Sequence, residues 1–230
     1  MKTRLIGDIH GMFNDYRTFS LRNWPAKSIQ LGDFGVGFAG PYWHEQVNDF
    51  HQGGDHRFIR GNHDAPTKCR NEMVGWIPDG TVENDVMFIG GAFSVDQWHR
   101  TEGTSWWRDE ELSILEFERM IDIYATVKPR VMITHDAPEN VTNQMFIQSG
   151  LAMGGANALK INTRTGMALQ AMFDIHQPDF HFFGHWHHTL RCDIGNTTFV
   201  CIGELDYIDV DLNNSDQMRV DIDHKFETNV

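Results

Sequence analysis

Short apolar runs recur along the chain, and each breaks off at glycine or at a polar residue. Residues 3–6 lead into Gly7-Asp8, 28–31 into Gly32-Asp33, and 57–59 into Arg60-Gly61-Asn62-His63-Asp64. Residues 86–89 lead into Gly90-Gly91, 130–133 into Thr134-His135-Asp136, and 180–183 into Gly184-His185. Runs this short, rich in Ile, Val and Phe and bounded by turn residues, predict buried strands rather than helices. Residues 197–202 and 207–211 predict two late strands on the same grounds.

Helical spacing appears between the runs. Residues 41–52 place Trp43, Val47 and Phe50 on one side. Residues 111–124 carry Ser113 and Glu116 in capping-box spacing, with Ile114, Phe117, Ile121 and Tyr124 predicted to form the buried face. Residues 164–176 put Met167, Ala168, Ala171, Met172 and Ile175 along a stripe, closed by Pro178. A methionine-rich stripe of this kind fills a core. Strands alternating with helices predict an α/β layered fold, taken here as one domain over residues 1–230. In such sheets the loops at the strand ends converge on one edge and carry the site.

Composition narrows the function without choosing it. The 230 residues are 40% hydrophobic and 22% charged, enough apolar material for a substantial core. No apolar run approaches the roughly 18 residues of a membrane helix. The opening MKTRLIGDIHG lacks a signal-peptide apolar segment, so a cytoplasmic protein without a membrane partner is expected. Three cysteines, none in a Cys-x-x-Cys pair, argue against a disulfide framework or a thiolate zinc site. A net charge of −13 argues against a dedicated duplex binder, whose affinity comes from cationic contacts to phosphates.

The strand-ending loops hold the chemistry. GDIHG offers Asp8 and His10, LGDFG offers Asp33, RGNHD offers Asn62, His63 and Asp64, THDAP offers His135, and GHWHH offers His185 and His187. In an extended segment the rings of His185 and His187, two residues apart, point the same way. The donors are oxygen and nitrogen throughout, a set that suits Mn, Fe, Zn, Ni or Mg. Asp8, His10, Asp33, Asn62, His135, His185 and His187 are too many for one tetrahedral ion. They suit two ions about 3.5–4 Å apart that share a carboxylate. Such a pair acidifies a water to hydroxide and clamps the oxygens of a phosphoryl group.

The ordered set D-x-H, G-D, G-N-H-D, H, G-H-x-H resembles the calcineurin-like metallophosphoesterase superfamily, with motifs spanning residues 5–187. The resemblance implies a four-layer αββα sandwich of two mixed sheets flanked by helices, with a dinuclear centre at one sheet edge. It implies two divalent cations, manganese foremost. Asp8, His10, Asp33 and His187 are then the ligands of one, and Asp33, Asn62, His135 and His185 those of the other. It further implies that His63 assists the leaving oxygen and that Asp64 orients His63. The expected activity is hydrolysis of phosphate mono- or diesters by a hydroxide held between the ions, with a small phosphoester as substrate. Alternatives of the same fold are a serine/threonine phosphoprotein phosphatase, a nucleotide or nucleic-acid phosphodiesterase, and a non-catalytic metal-binding scaffold. The stretch GDFGVGF lacks the Asp-Arg pair of the G-D-x-x-D-R-G motif in the protein-phosphatase branch, which points to the small single-domain bacterial or phage type. The filled motif positions argue against the scaffold.

Other residues carry two readings each. His181 is expected in the core or behind the ligands, and His188 at the surface. His44, His51, His56, His99 and His176 are expected at the surface or in packing. Asp136 is placed either as a hydrogen-bond support for His135 or as a turn residue. Arg60 is either a phosphate contact or a salt-bridged strand end. Trp98, Trp106, Trp107 and Arg100 form either a stacking surface or, for Trp106 and Trp107, a plug under the following helix.

Overall fold

Alternation along the strands sets the layers. In the computed structural model, which describes residues 2–23, 27–149, 163–212, 214 and 218, β1 (Thr3–Ile6), β2 (Lys27–Gln30) and β3 (His56–Phe58) run parallel. β10 (Tyr207–Val210) closes that sheet antiparallel to β1, giving the order β10-β1-β2-β3. A second sheet places β5 (Val86–Ile89), β6 (Val131–Thr134), β7 (Phe180–Phe183) and β9 (Thr197–Cys201) parallel in that order. The short β4 (Val82–Glu83) and β8 (Leu190–Ile194) form its antiparallel edges.

Because side chains on a strand alternate between faces, one set of residues from each strand lies between the sheets and the other lies under helices. Leu5, Phe88, Ile133, Phe182 and Val200 meet in the inner core. Their neighbours Ile6, Met87, Met132, Phe183 and Phe199 belong to the outer clusters. Both faces are apolar, as expected of parallel strands covered on two sides. α1 (Phe13–Leu21), α2 (Pro41–Gln52) and α3 (Pro66–Glu72) pack outside the four-stranded sheet through Tyr16, Trp43, Val47 and Cys69. α4 (Ile114–Val127), α5 (Glu139–Ser149) and α6 (Arg164–Ile175) cover the six-stranded one through Phe117, Met120, Val141 and Met172. The result is a four-layer αββα sandwich of two mixed sheets. No helix among the described residues is long and apolar enough to cross a membrane.

Every predicted strand is present to within a residue or so at each end, and α2 has its predicted bounds. The capping box at Ser113 is complete: its side chain accepts from the Glu116 amide, and Glu116 accepts from the Ser113 amide at 2.8 Å. The buried faces differ from the prediction. On α4, Phe117 and Tyr124 turn inward as predicted, but Met120 joins them and Ile114 is left 64% exposed. On α6 the inward stripe is Thr165, Ala168, Leu169, Met172 and Phe173, which leaves Met167 and Ile175 half out. α1, α3, α5 and the edge strands β4 and β8 had no predicted counterpart; their sequences are too polar or too short for an apolar period to stand out.

Candidate metal centre

The parallel strands deliver their C-terminal ends to one rim. β1 ends before Gly7-Asp8, β2 before Leu31-Gly32-Asp33, β3 before Arg60-Gly61-Asn62-His63, and β6 and β7 just before His135 and Gly184-His185. Two donor groups form there. Ligand atoms of Asp8, His10, Asp33 and His187 lie within 4.8 Å of one another, as do those of Asp33, His135 and His185. Asp33 belongs to both. Asn62 joins the second group, its Oδ1 3.0 Å from His135 Nε2.

Close backbone approach makes this convergence possible. A Cβ on Gly61 would fall 2.1 Å from Asp33 Oδ1, and one on Gly184 would fall 2.4 Å from Asp8 Oδ1. The glycines of G-N-H-D and G-H-x-H are therefore required by the carboxylates beside them. His10, Asp33, His185 and His187 all have left-handed backbone, with φ of 43°, 54°, 67° and 55°. Each such residue costs roughly 1–2 kcal/mol without glycine. Four of the nine non-glycine instances among the described residues thus sit on this rim, where strain concentrates at functional sites.

That geometry corrects the extended reading of GHWHH. With both residues left-handed, His185 and His187 diverge. The His185 ring packs 5.1 Å from that of His135, whereas His187 Nε2 lies 3.2 Å from Asp8 Oδ2 and 3.1 Å from His10 Nε2.

The supports also differ from expectation. Asp136 does not hold His135; it accepts from Trp186 Nε1 and the Ala137 amide. His135 Nδ1 instead donates to the Leu31 carbonyl at 2.7 Å. A carbonyl can only accept, so Nδ1 carries a proton there, which leaves Nε2, beside Asp33 and Asn62, as the nitrogen that would give its lone pair to a cation in place of a proton. Asp64 does not orient His63. Its carboxylate accepts the amides of Phe34, Gly35, Val36 and Gly61, while His63 Nδ1 has no hydrogen-bond partner. Arg60 contacts no open surface: it is buried, with Nε on Asp79 at 2.9 Å and Nη1 on the Glu110 carbonyl. Glu204, which no motif marked, reaches His187 Nδ1 at 3.7 Å from the turn before β10.

Of the remaining histidines, His51, His56, His176 and His181 are packing groups, and His99 is exposed. His181 lies on the outer face of β7, bonded to Thr134 Oγ1 at 2.7 Å, and burial pushes it down to about 3. His51 bonds Tyr16 and the Val74 carbonyl, His56 bonds Ser28, His176 bonds the Pro129 carbonyl, and His188 is exposed. Trp98 is 78% exposed, Trp107 packs toward Gly37, and Arg100 pairs with Asp96 at 2.7 Å.

The electrostatics of the rim favour cations. Burial opposes charge on Asp33 and His135, but each overcomes it through the other: Asp33 is held well below the usual carboxylate range by His135, His63 and His10, and His135 rises to about 10. A hydrogen bond to Asp8 raises His187. Asp8 Oδ2 is buried and has His187 Nε2 at 3.2 Å as its polar neighbour, a sparse setting for a buried carboxylate oxygen that a cation would complete. Donor chemistry, buried carboxylates and local field all fit two divalent ions.

The family model described as calcineurin-like phosphoesterase matches residues 1–189. No curated protein matches the sequence. Among solved structures, a dimetal phosphatase from Danio rerio is similar with a TM-score of 0.57 and 11% identity, covering 91% of each chain. A Staphylococcus aureus protein for which 5′-nucleotidase activity has been inferred is similar with a TM-score of 0.51 and 14% identity; the match covers 91% of this chain and half the length of that one. At these identities the likeness is one of fold.

Proposed function

Because the chain belongs to the calcineurin-like phosphoesterase family and is a hydrolase of phosphoric esters, we propose that it cleaves small phosphate mono- or diesters at this rim. Asp8, His10, Asp33 and His187 would hold one divalent ion, and Asp33, Asn62, His135 and His185 the other. The observation that carries the reading is that two donor groups, each within 4.8 Å, share Asp33. Two divalent ions bound there supply charge neutralisation for the phosphoryl oxygens and an acidified water as nucleophile.

The chain's own residues do the rest. The Leu31 carbonyl fixes the ring orientation of His135, and Glu204 adds negative charge 3.7 Å from His187 Nδ1. His63, 3.8 Å from Asp33 Oδ2 and largely shielded from solvent, is assigned proton transfer to the leaving oxygen. Asp64 holds the loop that presents Asp33. A net charge of −13 supports a small substrate over duplex nucleic acid. Manganese as the working ion and a cytoplasmic setting complete the proposal.

The test is a panel of p-nitrophenyl phosphate, bis-p-nitrophenyl phosphate and nucleotides, run on protein loaded with Mn, Fe, Zn, Ni or Mg. Hydrolysis should vanish on chelation and return with manganese, and Asp33→Ala should lose both bound metal and turnover. Activity that survives chelation, or wild-type protein that takes up no divalent ion, would overturn the reading.

A further inference from the structure

The loop between β5 and α4 carries a buried polar chain that no motif marks. Asn62 Nδ2 donates to Ser94 Oγ at 2.9 Å, and Ser94 Oγ donates to Glu110 Oε2 at 2.5 Å. Glu110 Oε1 also accepts the Ser94 amide at 3.0 Å. Asn62 and Ser94 are 1% exposed and Glu110 3%. Arg60, two residues before Asn62, donates to the Glu110 carbonyl and ties the same loop to the end of β3.

The sequence of donors has a direction. A hydroxyl has one proton, and Ser94 commits it to the carboxylate of Glu110. Toward Asn62 it therefore presents only a lone pair, which accepts an N–H and repels a carbonyl oxygen. The NH2 end of the Asn62 amide must face Ser94, and Oδ1 must face His135. A ligating asparagine is useful only in that orientation, because its NH2 group cannot bind a cation. Turned over, it would place two N–H donors where positive charge belongs.

We infer that Ser94 and Glu110 are positioning residues which fix the polarity of the Asn62 amide and so complete the second cation site. The inference rests on the dinuclear reading above and adds residues that lie outside every motif. Amide orientation is a two-state choice, and outer hydrogen bonds to metal ligands typically govern 10- to 100-fold in affinity.

Manganese binding to the full-length protein, followed by calorimetry and electron paramagnetic resonance, tests it, with thermal unfolding measured alongside. Ser94→Ala should keep the first manganese and weaken the second by about 10- to 100-fold, while Ser94→Thr restores it. Glu110→Gln is the sharper variant. Its carboxamide NH2 can donate to Ser94 Oγ, which frees the hydroxyl proton for Asn62 and reverses the chain, so the second ion should weaken here too, at nearly the same volume and packing. Wild-type affinity for both ions in both variants would overturn the inference, as would equal weakening of the two ions together with a lowered melting temperature. Loss in Ser94→Ala alone would overturn the part assigned to Glu110. Wild-type protein that binds fewer than two manganese ions would instead overturn the dinuclear reading itself.

Discussion

Asp64 Oδ1 accepts the backbone N–H of Gly35 at 2.8 Å, and the loop that presents Asp33 is folded around that contact. The same oxygen takes the Val36 amide at 2.9 Å, and Oδ2 takes the amides of Phe34 and Gly61 at 3.0 and 2.8 Å. One buried carboxylate thus anchors both the segment after Asp33 and the glycine before Asn62.

Asp64→Asn should therefore destabilise the fold. Each oxygen serves two N–H donors, so whichever oxygen becomes NH2 is left facing two like donors in a buried site. A loss of about 3 kcal/mol is expected, read as a shifted urea midpoint. A variant with the wild-type midpoint but a slowed chemical step would restore the discarded role, that of steering His63.

His63→Ala should separate chemistry from metal binding. The ring belongs to neither donor group, so both manganese ions should remain bound. Turnover should fall by about 10²–10⁴-fold, and the fall should steepen as the leaving alkoxide becomes more basic. A series of aryl and alkyl phosphates measures the slope; equal losses across the series would remove His63 from leaving-group protonation.

His51 should make the fold acid-sensitive. Burial pushes its pKa from 6.5 down to about 4, with the Val74 carbonyl opposing and His56 adding to the shift. Tyr16 and Val74 hold its two nitrogens, and Phe34 stacks on its ring at 5.6 Å. The unfolded chain takes up a proton below 6.5 while the folded one does not until about 4, so this stability is complete above 6.5 and drains as pH falls. Between pH 7 and 5 the loss is about 2 kcal/mol. Urea unfolding at pH 7, 6 and 5 should show it in the wild type and a flatter dependence in His51→Gln; parallel curves would remove His51 as the cause.

Much of this was legible in the chain because it is local. Runs such as 86–89 and 180–183 announce strands through β-branched and aromatic residues, and Ser113 with Glu116 announces a helix start within four positions. The faces of α4 and α6 were not legible in the same way. Ile114 and Met167 are as apolar as the residues that ended up buried, and only the sheet against which each helix lies decides which side turns in. α1, with Arg17 and Asn14 interrupting its apolar positions, offered too weak a period.

The seven donor residues were visible as types at strand ends, and parallel strands bring strand ends to one edge whatever else the chain does. Their supports were not, since Leu31, Ser94, Glu110 and Glu204 act through backbone carbonyls or through side chains that meet only when distant loops close. The sequence by itself determined the order of strands, the kind of ligand atoms and the glycines that let backbones approach. The tertiary structure alone decided that His185 and His187 diverge, that Asp64 serves the backbone instead of His63, and that the Asn62 amide faces one way, because each depends on a directional contact between residues far apart in the chain.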